Sequence, residues 1–111
     1  MYYEEPKTVE TVIRAALKSK RDDFRLRLAE HFRKEGFPAL SVGKEPVRPD
    51  RPSVVVFEDP KYAVVYLFTG ACMNDAEFEA FRTEARAFAW QHDAAAYFVR
   101  LDDGVILKET D

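Results

Sequence analysis

The sequence contains few of the residues that usually identify an enzyme. Its 111 residues include one cysteine, Cys72, and two histidines, His31 and His92. A single cysteine excludes an internal disulfide and a zinc site built from cysteines. The four glycines occur singly, at positions 36, 43, 70 and 104. There is therefore no glycine-rich loop of the kind that holds a phosphate group.

Long apolar runs and a strong charge of one sign are also missing. No stretch approaches the roughly 20 apolar residues that a membrane-spanning helix needs. Residues 1–6 have neither the basic nor the apolar part of a secretory signal. We therefore expect a cytoplasmic protein that does not bind membranes. The net charge of −3 gives no broad positive surface for nucleic acid. No metal and no other cofactor is expected.

The residues that are present indicate one folded domain. Apolar residues make up 47% of the chain and aromatic residues 14%, which is enough material for a core and argues against disorder. A chain of 111 residues falls within the usual range for a single domain. We expect residues 1–6 to form a short arm and residues 7–111 to form the domain.

The first third of the domain has the spacing of helices. From Lys7 onward, apolar residues recur at intervals that line one helix face, and the polar stretch 18–23 interrupts them. A second apolar stripe follows and ends at Gly36. One helix over residues 8–35 would be about 42 Å long, so the pattern favours two helical segments over one long helix.

The remainder predicts strands around a further helix. The segments Ser53–Phe57 and Tyr62–Phe68 are apolar at almost every position, as expected of central strands buried on both faces. Asn74 or Asp75 is expected to cap the next helix. The other predicted strands are Phe37–Val42 and a final hairpin of Ala95–Leu101 with Val105–Lys108, in which Asp103-Gly104 favours a type I′ turn.

These elements define an α+β fold with the order α-β-β-β-α-β-β and a central mixed sheet flanked by helices. We expect Val55, Val65 and Phe81 to lie in one core, because they belong to the most apolar segments. The last strand, Val105–Lys108, forms a sheet edge that only Lys108 and Glu109 guard, which makes a homodimer through this edge possible.

One stripe of the last helix is a candidate binding site. Arg82, Arg86 and Trp90 follow one another at intervals of four, which aligns two guanidinium groups and an indole. Such a stripe suits a phosphate, a stacked base or a hot spot for a protein partner. The alternative is structural: the arginines pair with Glu79 and Glu84, and the indole covers the core edge.

The histidines and the cysteine are weaker candidates. His31 lies beside an apolar helix stripe, and His92 follows Trp90-Gln91 at a helix end, where it interacts well with exposed carbonyl groups. Cys72 lies in a loop after a central strand, but no histidine is expected beside it. Structural roles are favoured for all three residues.

The order of elements resembles a known group. A helix ending at Arg33-Lys34-Glu35-Gly36-Phe37, a strand, Arg48-Pro49-Asp50, two buried strands, a helix and a strand are similar to the restriction-endonuclease-like fold, over roughly residues 22–108. That group includes the PD-(D/E)XK nucleases and the subunits of tRNA-splicing endonucleases. The resemblance implies an acidic residue at the second strand and a carboxylate-x-Lys motif on the third, which bind Mg²⁺ and steady the attacking water.

The catalytic positions of that group are altered in this chain. Asp50 matches the first acidic position, whereas Tyr66-Leu67-Phe68 stands where the carboxylate-x-Lys motif is expected. The resemblance therefore implies a nuclease-like scaffold without the nuclease site. We expect a non-catalytic interaction or structural domain whose partner is a protein, in a nucleic-acid-processing or phage-related system. Binding of nucleic acid stays possible.

Two alternatives stay open at this point. One is a divergent metal-dependent nuclease that uses Asp50 and Glu58. The other is a small acidic immunity or inhibitor protein that mimics nucleic acid. Its acidic side chains would include Asp75, Glu77, Glu79, Asp102 and Asp103.

Overall fold

The computed structural model describes residues 8–18, 23–42 and 47–109. These residues form three helices and five strands. The elements are α1 (Val9–Leu17), α2 (Phe24–Lys34), β1 (Ala39–Ser41), β2 (Val54–Glu58), β3 (Lys61–Phe68), α3 (Asp75–Gln91), β4 (Ala94–Arg100) and β5 (Val105–Glu109). The α+β class and the mixed sheet flanked by helices are confirmed. The predicted N-terminal arm, residues 1–6, lies outside the described residues.

The N-terminal helical region forms two segments, as the interrupted apolar pattern predicts. Thr8 caps α1 through its side chain, and α1 ends at Leu17. Helix α2 begins after Asp23, whose φ of 61° is left-handed and therefore incompatible with a helix running through it. Gly36, with φ of 91°, follows the end of α2, where glycine adopts the left-handed conformation at low cost.

The strands form one mixed sheet in the order β1-β2-β3-β4-β5. Neighbouring strands are antiparallel except β3 and β4, which are parallel and are connected by α3. A parallel pair needs a crossover of this kind, because a tight turn cannot bring the chain back to the same end of the sheet. The predicted final hairpin is confirmed, with β4 one residue earlier than expected at each end.

The turn of that hairpin differs from the prediction. Arg100 pairs with Val105, so the loop has four residues, 101–104, rather than the two of a type I′ turn. Gly104 still adopts a positive φ, 73°, and its N–H donates to the carbonyl of Arg100. The prediction that Gly104 is a turn residue is therefore confirmed, whereas the predicted loop length is wrong.

The core has two layers, one on each face of the sheet. Helices α1 and α2 cover one face, where Leu28 and Phe32 pack on Val56 and Val65. Helix α3 covers the other face through Ala85 and Ala89. This arrangement corrects the expectation of one shared core for Val55, Val65 and Phe81. Val55 and Phe81 belong to the α3 layer, whereas Val65 belongs to the α1–α2 layer.

Candidate interaction surface

Helix α3 begins at a well-defined cap. The Asn74 side chain accepts a hydrogen bond from the Glu77 N–H at 2.8 Å, and the Glu77 side chain accepts one from the Asn74 N–H at 3.0 Å. This reciprocal pair satisfies two N–H groups that a helix start otherwise leaves without partners. The cap fixes where α3 starts and therefore which of its side chains turn toward the sheet.

Arg86 and Trp90 form a contact pair on one side of α3. The Arg86 guanidinium carbon lies 5.2 Å from the centroid of the Trp90 ring, a cation–π distance. Trp90 keeps 44% of its surface exposed. An exposed indole with an arginine held on its face combines two side chains that are enriched in the energetic centres of protein interfaces.

Arg82 is on the same side of α3, but its guanidinium group is engaged within the chain. Its Nε donates to Glu109 on β5, and its Nη1 lies 3.6 Å from a Glu79 carboxylate oxygen. The contact with Glu109 turns this side of α3 toward β5. The predicted stripe therefore divides into Arg82, which holds α3 to the sheet edge, and the Arg86–Trp90 pair.

Beneath α3 lies a cluster of aromatic rings. Phe98 on β4 stacks on Tyr66 at 5.3 Å between centroids and meets Phe78 edge-on at 5.6 Å. Phe81 meets Tyr66 edge-on at 5.3 Å. Phe68 stacks on Phe78 at 4.9 Å. The positions where the nuclease pattern expects carboxylate-x-Lys, Tyr66 and Phe68, are thus packed into the core of the α3 layer.

Tyr66 also ties the sheet to the loop before β2. Its hydroxyl donates to the carbonyl of Pro49 at 2.6 Å, which satisfies a polar group inside an apolar layer. Burial, and to a smaller extent the charge of Asp50, raises the pKa of Tyr66. A phenol held in its neutral form and bonded to the backbone has a structural role here.

The two carboxylates of the alternative nuclease site have different surroundings. Glu58, at the end of β2, accepts a hydrogen bond from the N–H of Val9 at 3.2 Å and so interacts with the N-terminus of α1. Asp50 is exposed and precedes the other end of β2. Strands rise about 3.3 Å per residue, so the two positions are separated by roughly the length of the strand.

The remaining nucleophile and metal candidates do not come together. The His92 ring packs on Phe88 at 4.6 Å beyond the end of α3, and His31 lies half-buried on α2. Cys72 is exposed, with its Sγ 3.3 Å from the Thr69 hydroxyl. Among the described residues, no group of three His, Cys, Asp or Glu side chains could hold a metal ion.

The acidic side chains of the inhibitor alternative mostly have partners within the chain. Asp102 accepts from the Gly70 N–H at 2.6 Å. Asp103 accepts from Arg100 at 2.7 Å, and this hydrogen bond lowers the pKa of Asp103 and raises that of Arg100. Since Glu77 serves the cap of α3, these groups do not present the free, regularly spaced charges of a nucleic-acid mimic.

A groove beside the start of α3 was missed by the sequence interpretation. Its apolar lining comes from the first turns of α3 and the loop before them, from β3 and β4, and from β5. The lining residues include Phe68, Met73, Phe78, Phe98, Val105 and Leu107. The signal that could have found it is the alternation in β5, where Val105 and Leu107 turn to the α3 face and stay partly exposed.

Together, the fold and this surface define a three-layer α+β domain with an arginine–tryptophan pair exposed on α3. Comparison with known proteins gives no match: no family model, no curated protein and no solved structure is similar to the chain. Within residues 8–18, 23–42 and 47–109, no helix is long and apolar enough to cross a membrane.

Proposed function

We propose that this chain is a non-catalytic interaction domain on a restriction-endonuclease-like scaffold. It binds a macromolecular partner, a protein, through the surface formed by Arg86 and Trp90 on α3. The nucleic-acid-processing or phage-related setting follows from the resemblance of the scaffold, which is an analogy between folds rather than a property of the site.

The order of the elements supports the scaffold. Three successive antiparallel strands follow α2, and α3 then leads to a strand parallel to β3. Asp50 precedes the second of these strands, as in the nuclease pattern. The packing of Tyr66 and Phe68 beneath α3 supports the loss of catalysis, because these buried rings stand where the resemblance leads us to expect the metal-binding and water-activating side chains.

The exposed Arg86–Trp90 pair carries the proposal for binding. Burying an indole that is 44% exposed removes apolar surface from water, and the arginine already lies on its face. The Arg86 side chain therefore needs little reordering when a partner binds, which lowers the entropic cost of association. A protein is favoured over nucleic acid because the same side of α3 also carries Glu79, whose negative charge repels phosphates.

The test is site-specific photo-crosslinking in the source cells. A photoreactive phenylalanine analogue replaces Trp90 in one variant and Glu30, an exposed residue of α2 on the opposite face of the sheet, in the control. We expect position 90 to capture a defined protein that position 30 does not. Capture of nucleic acid in place of protein would contradict the proposed partner, and equal capture from both positions would contradict the surface.

The captured protein then allows a quantitative check. Trp90 is the only tryptophan of the chain, so its emission reports directly on this surface. Titration should shift the emission to shorter wavelength as water leaves the indole. Arg86→Ala should weaken binding by about tenfold or more, in the range of interface hot spots. Arg14→Ala, the same change at an exposed position of α1, should leave the affinity unchanged.

A further inference from the structure

We infer that two copies of this chain form a two-fold symmetric dimer in which their β5 strands pair antiparallel at Leu107. The two α3 helices then face each other across the joined sheet. This inference rests on the proposed interaction role, and it names one partner, a second copy of the chain. It stands on three observations: the edge position of β5, the register that its residues permit, and the charge order of α3.

The first observation is the edge itself. In the described sheet, β5 pairs with β4 on one side and ends the strand order on the other. Val105 is 40% exposed and Leu107 is 37% exposed. A strand at a sheet edge presents unpaired N–H and C=O groups, and an apolar edge is a template for a further strand. Lys108 is the exposed charged side chain of β5, since Glu109 is held by Arg82.

The second observation is the register. Leu107 pairs with Phe98 and lies on the α3 face, whereas Ile106 pairs with Val99 and lies on the α1–α2 face. A two-fold axis perpendicular to the sheet leaves each side chain on the face that it occupies in the single chain. Residues directly opposite each other in an antiparallel pair share a face, and neighbouring residues of β5 lie on different faces. The axis must therefore lie at the level of a residue of β5 and not between two residues. Placed at Lys108, the axis would set two lysines opposite each other, which is destabilising.

An axis at Leu107 avoids this repulsion and pairs the whole strand. Val105 then lies opposite Glu109 of the second copy, Ile106 lies opposite Lys108, and the two Leu107 side chains meet on the axis. No like charges are opposed within β5. An axis at Ile106 would pair only residues 105–107 and would leave Lys108 and Glu109 beyond the strand pair. The register centred on Leu107 is therefore the favoured one.

The third observation is the order of charged residues along α3, which fits a two-fold axis. Its side toward β5 carries Asp75 and Glu79 in the N-terminal part and Arg82 and Arg86 in the C-terminal part. Along the helix, the midpoint between Glu79 and Arg82 is also the midpoint between Asp75 and Arg86. Two such helices related by a two-fold axis through that midpoint place acidic residues opposite basic ones. A surface that is complementary to itself is what a two-fold interface requires.

The axis given by the strand register and the axis given by the α3 charges lie at the same level along β4 and β5. Phe78 and Phe81, which flank the midpoint of the charge order, both contact the Phe98 ring. Phe98 pairs with Leu107, where the strand axis lies. The strand register and the order of charges on α3 are thus independent features that share one axis.

The spacing permits the charged side chains to meet. Helix α3 packs chiefly on β4, so three strand spacings, about 14 Å, separate the two helices. Helices in direct contact are 8–10 Å apart. The gap therefore suits long side chains, and sheet twist brings the helices closest at the axis. The Glu79–Arg82 ion pairs of the two copies are the innermost charges, above a floor formed by the two Leu107 side chains. Because the helices are antiparallel across the axis, each glutamate faces the arginine of the other copy in addition to the arginine of its own chain.

Sedimentation equilibrium of the full chain, from low to high micromolar concentration, tests the dimer. We expect the wild type to reach a dimer. Leu107→Lys and Leu107→Glu should each weaken dimerisation by about tenfold or more, because like charges meet on the axis. An equal mixture of these two variants should regain the dimer, since the lysine of one chain then faces the glutamate of the other. Leu40→Lys, an exposed leucine on the opposite sheet edge, is the control and should dimerise as the wild type does.

Three outcomes would overturn the inference: a monomeric wild type at high micromolar concentration, a dimer unaffected by Leu107→Lys, or a mixture of the two Leu107 variants that stays monomeric. Failure of the proposed function is separate. If the wild type is monomeric while the photoreactive group at position 90 captures a different protein, the dimer fails and the interaction role stands. If position 90 captures nothing, the interaction role of the Arg86–Trp90 surface fails whatever the sedimentation result.

Discussion

Phe98 lies at the centre of the α3 layer, and its truncation tests the account of that layer. The side chain is completely buried. Its ring stacks on Tyr66 at 5.3 Å and meets Phe78 and Phe81 edge-on at 5.6 Å and 6.3 Å. Phe98→Ala therefore removes a shared partner of three aromatic rings and leaves a cavity between the sheet and α3.

The expected cost follows from burial and from the ring contacts. Replacing a buried phenylalanine by alanine lowers the free energy of unfolding by about 3–5 kcal/mol, of which roughly 0.5–1.5 kcal/mol comes from each aromatic pair. Against a total stability of about 5–15 kcal/mol, this loss is large. Urea unfolding followed by far-ultraviolet circular dichroism measures it.

Double-mutant cycles test whether the lost stability comes from contacts within the α3 layer. Phe98→Ala combined with Phe78→Leu should show a coupling of about 0.5–1.5 kcal/mol, since the two rings touch. Phe98→Ala combined with Val56→Ala should be additive to within about 0.5 kcal/mol, because Val56 lies in the α1–α2 layer. If Phe98→Ala leaves too little folded protein, Phe98→Leu replaces it in both cycles.

A cost of Phe98→Ala below about 0.5 kcal/mol, the level of surface substitutions, would refute the placement of Phe98. Equal coupling to Phe78 and to Val56 would refute the division of the core into two layers.

Three further predictions concern single contacts. Asn74→Ala removes the α3 cap and should lower the free energy of unfolding by about 1 kcal/mol in urea titrations, whereas an unchanged value would show that the cap is dispensable. Tyr66→Phe should reduce the loss of stability at alkaline pH: the pKa of Tyr66 is raised by burial, so the unfolded chain ionises this phenol above its ordinary pKa of 10.0 while the folded chain keeps the proton. Identical slopes of stability against pH for both chains would contradict this. Glu58→Gln keeps the size of the side chain but removes the charge near α1, and thermal unfolding should detect a loss of about 0.3–1 kcal/mol; no loss would mean that the charge does not stabilise the helix.

Local patterns predicted the elements well because helices and strands differ in the spacing and in the type of their apolar residues. The predicted strands Ser53–Phe57 and Tyr62–Phe68 correspond to β2 (Val54–Glu58) and β3 (Lys61–Phe68), within one residue at each end, because their β-branched and aromatic residues fit a sheet buried on both faces. The interruption at residues 18–23 separates α1 from α2, as the polar stretch predicts. Asn74 caps α3 as expected, and Glu77 completes the cap.

The misplacement of Val65 has a physical reason. In a strand that is apolar at every position, neighbouring residues lie on opposite faces, but no polar residue marks which face is which. Only the helices that pack on each face distinguish them, and this is tertiary information. The same limit applies to the hairpin turn, because glycine at position 104 suits a four-residue loop as well as a two-residue one.

The candidate surface was predictable only in part. Helical periodicity placed Arg82, Arg86 and Trp90 on one side of α3, and the structure agrees. The local alternative gave the arginines Glu79 and Glu84 as partners, whereas Arg82 pairs with Glu79 and also with the distant Glu109. A contact across 27 positions depends on how β5 docks beside α3, which no local pattern contains.

The most direct test of the central claim, a nuclease-like scaffold without catalysis, is a cleavage assay. Purified wild-type chain is incubated with plasmid DNA and with RNA in the presence of Mg²⁺ or Mn²⁺, beside Asp50→Ala and Glu58→Ala. Metal-assisted hydrolysis normally needs two or more oxygen ligands on one ion. The neutral Tyr66 hydroxyl donates to the Pro49 carbonyl, and Phe68 has no side-chain oxygen, so neither residue supplies an anionic ligand. We predict no metal-dependent cleavage by any of the three proteins. Cleavage by the wild type that either substitution abolishes would contradict the account and establish a divergent nuclease.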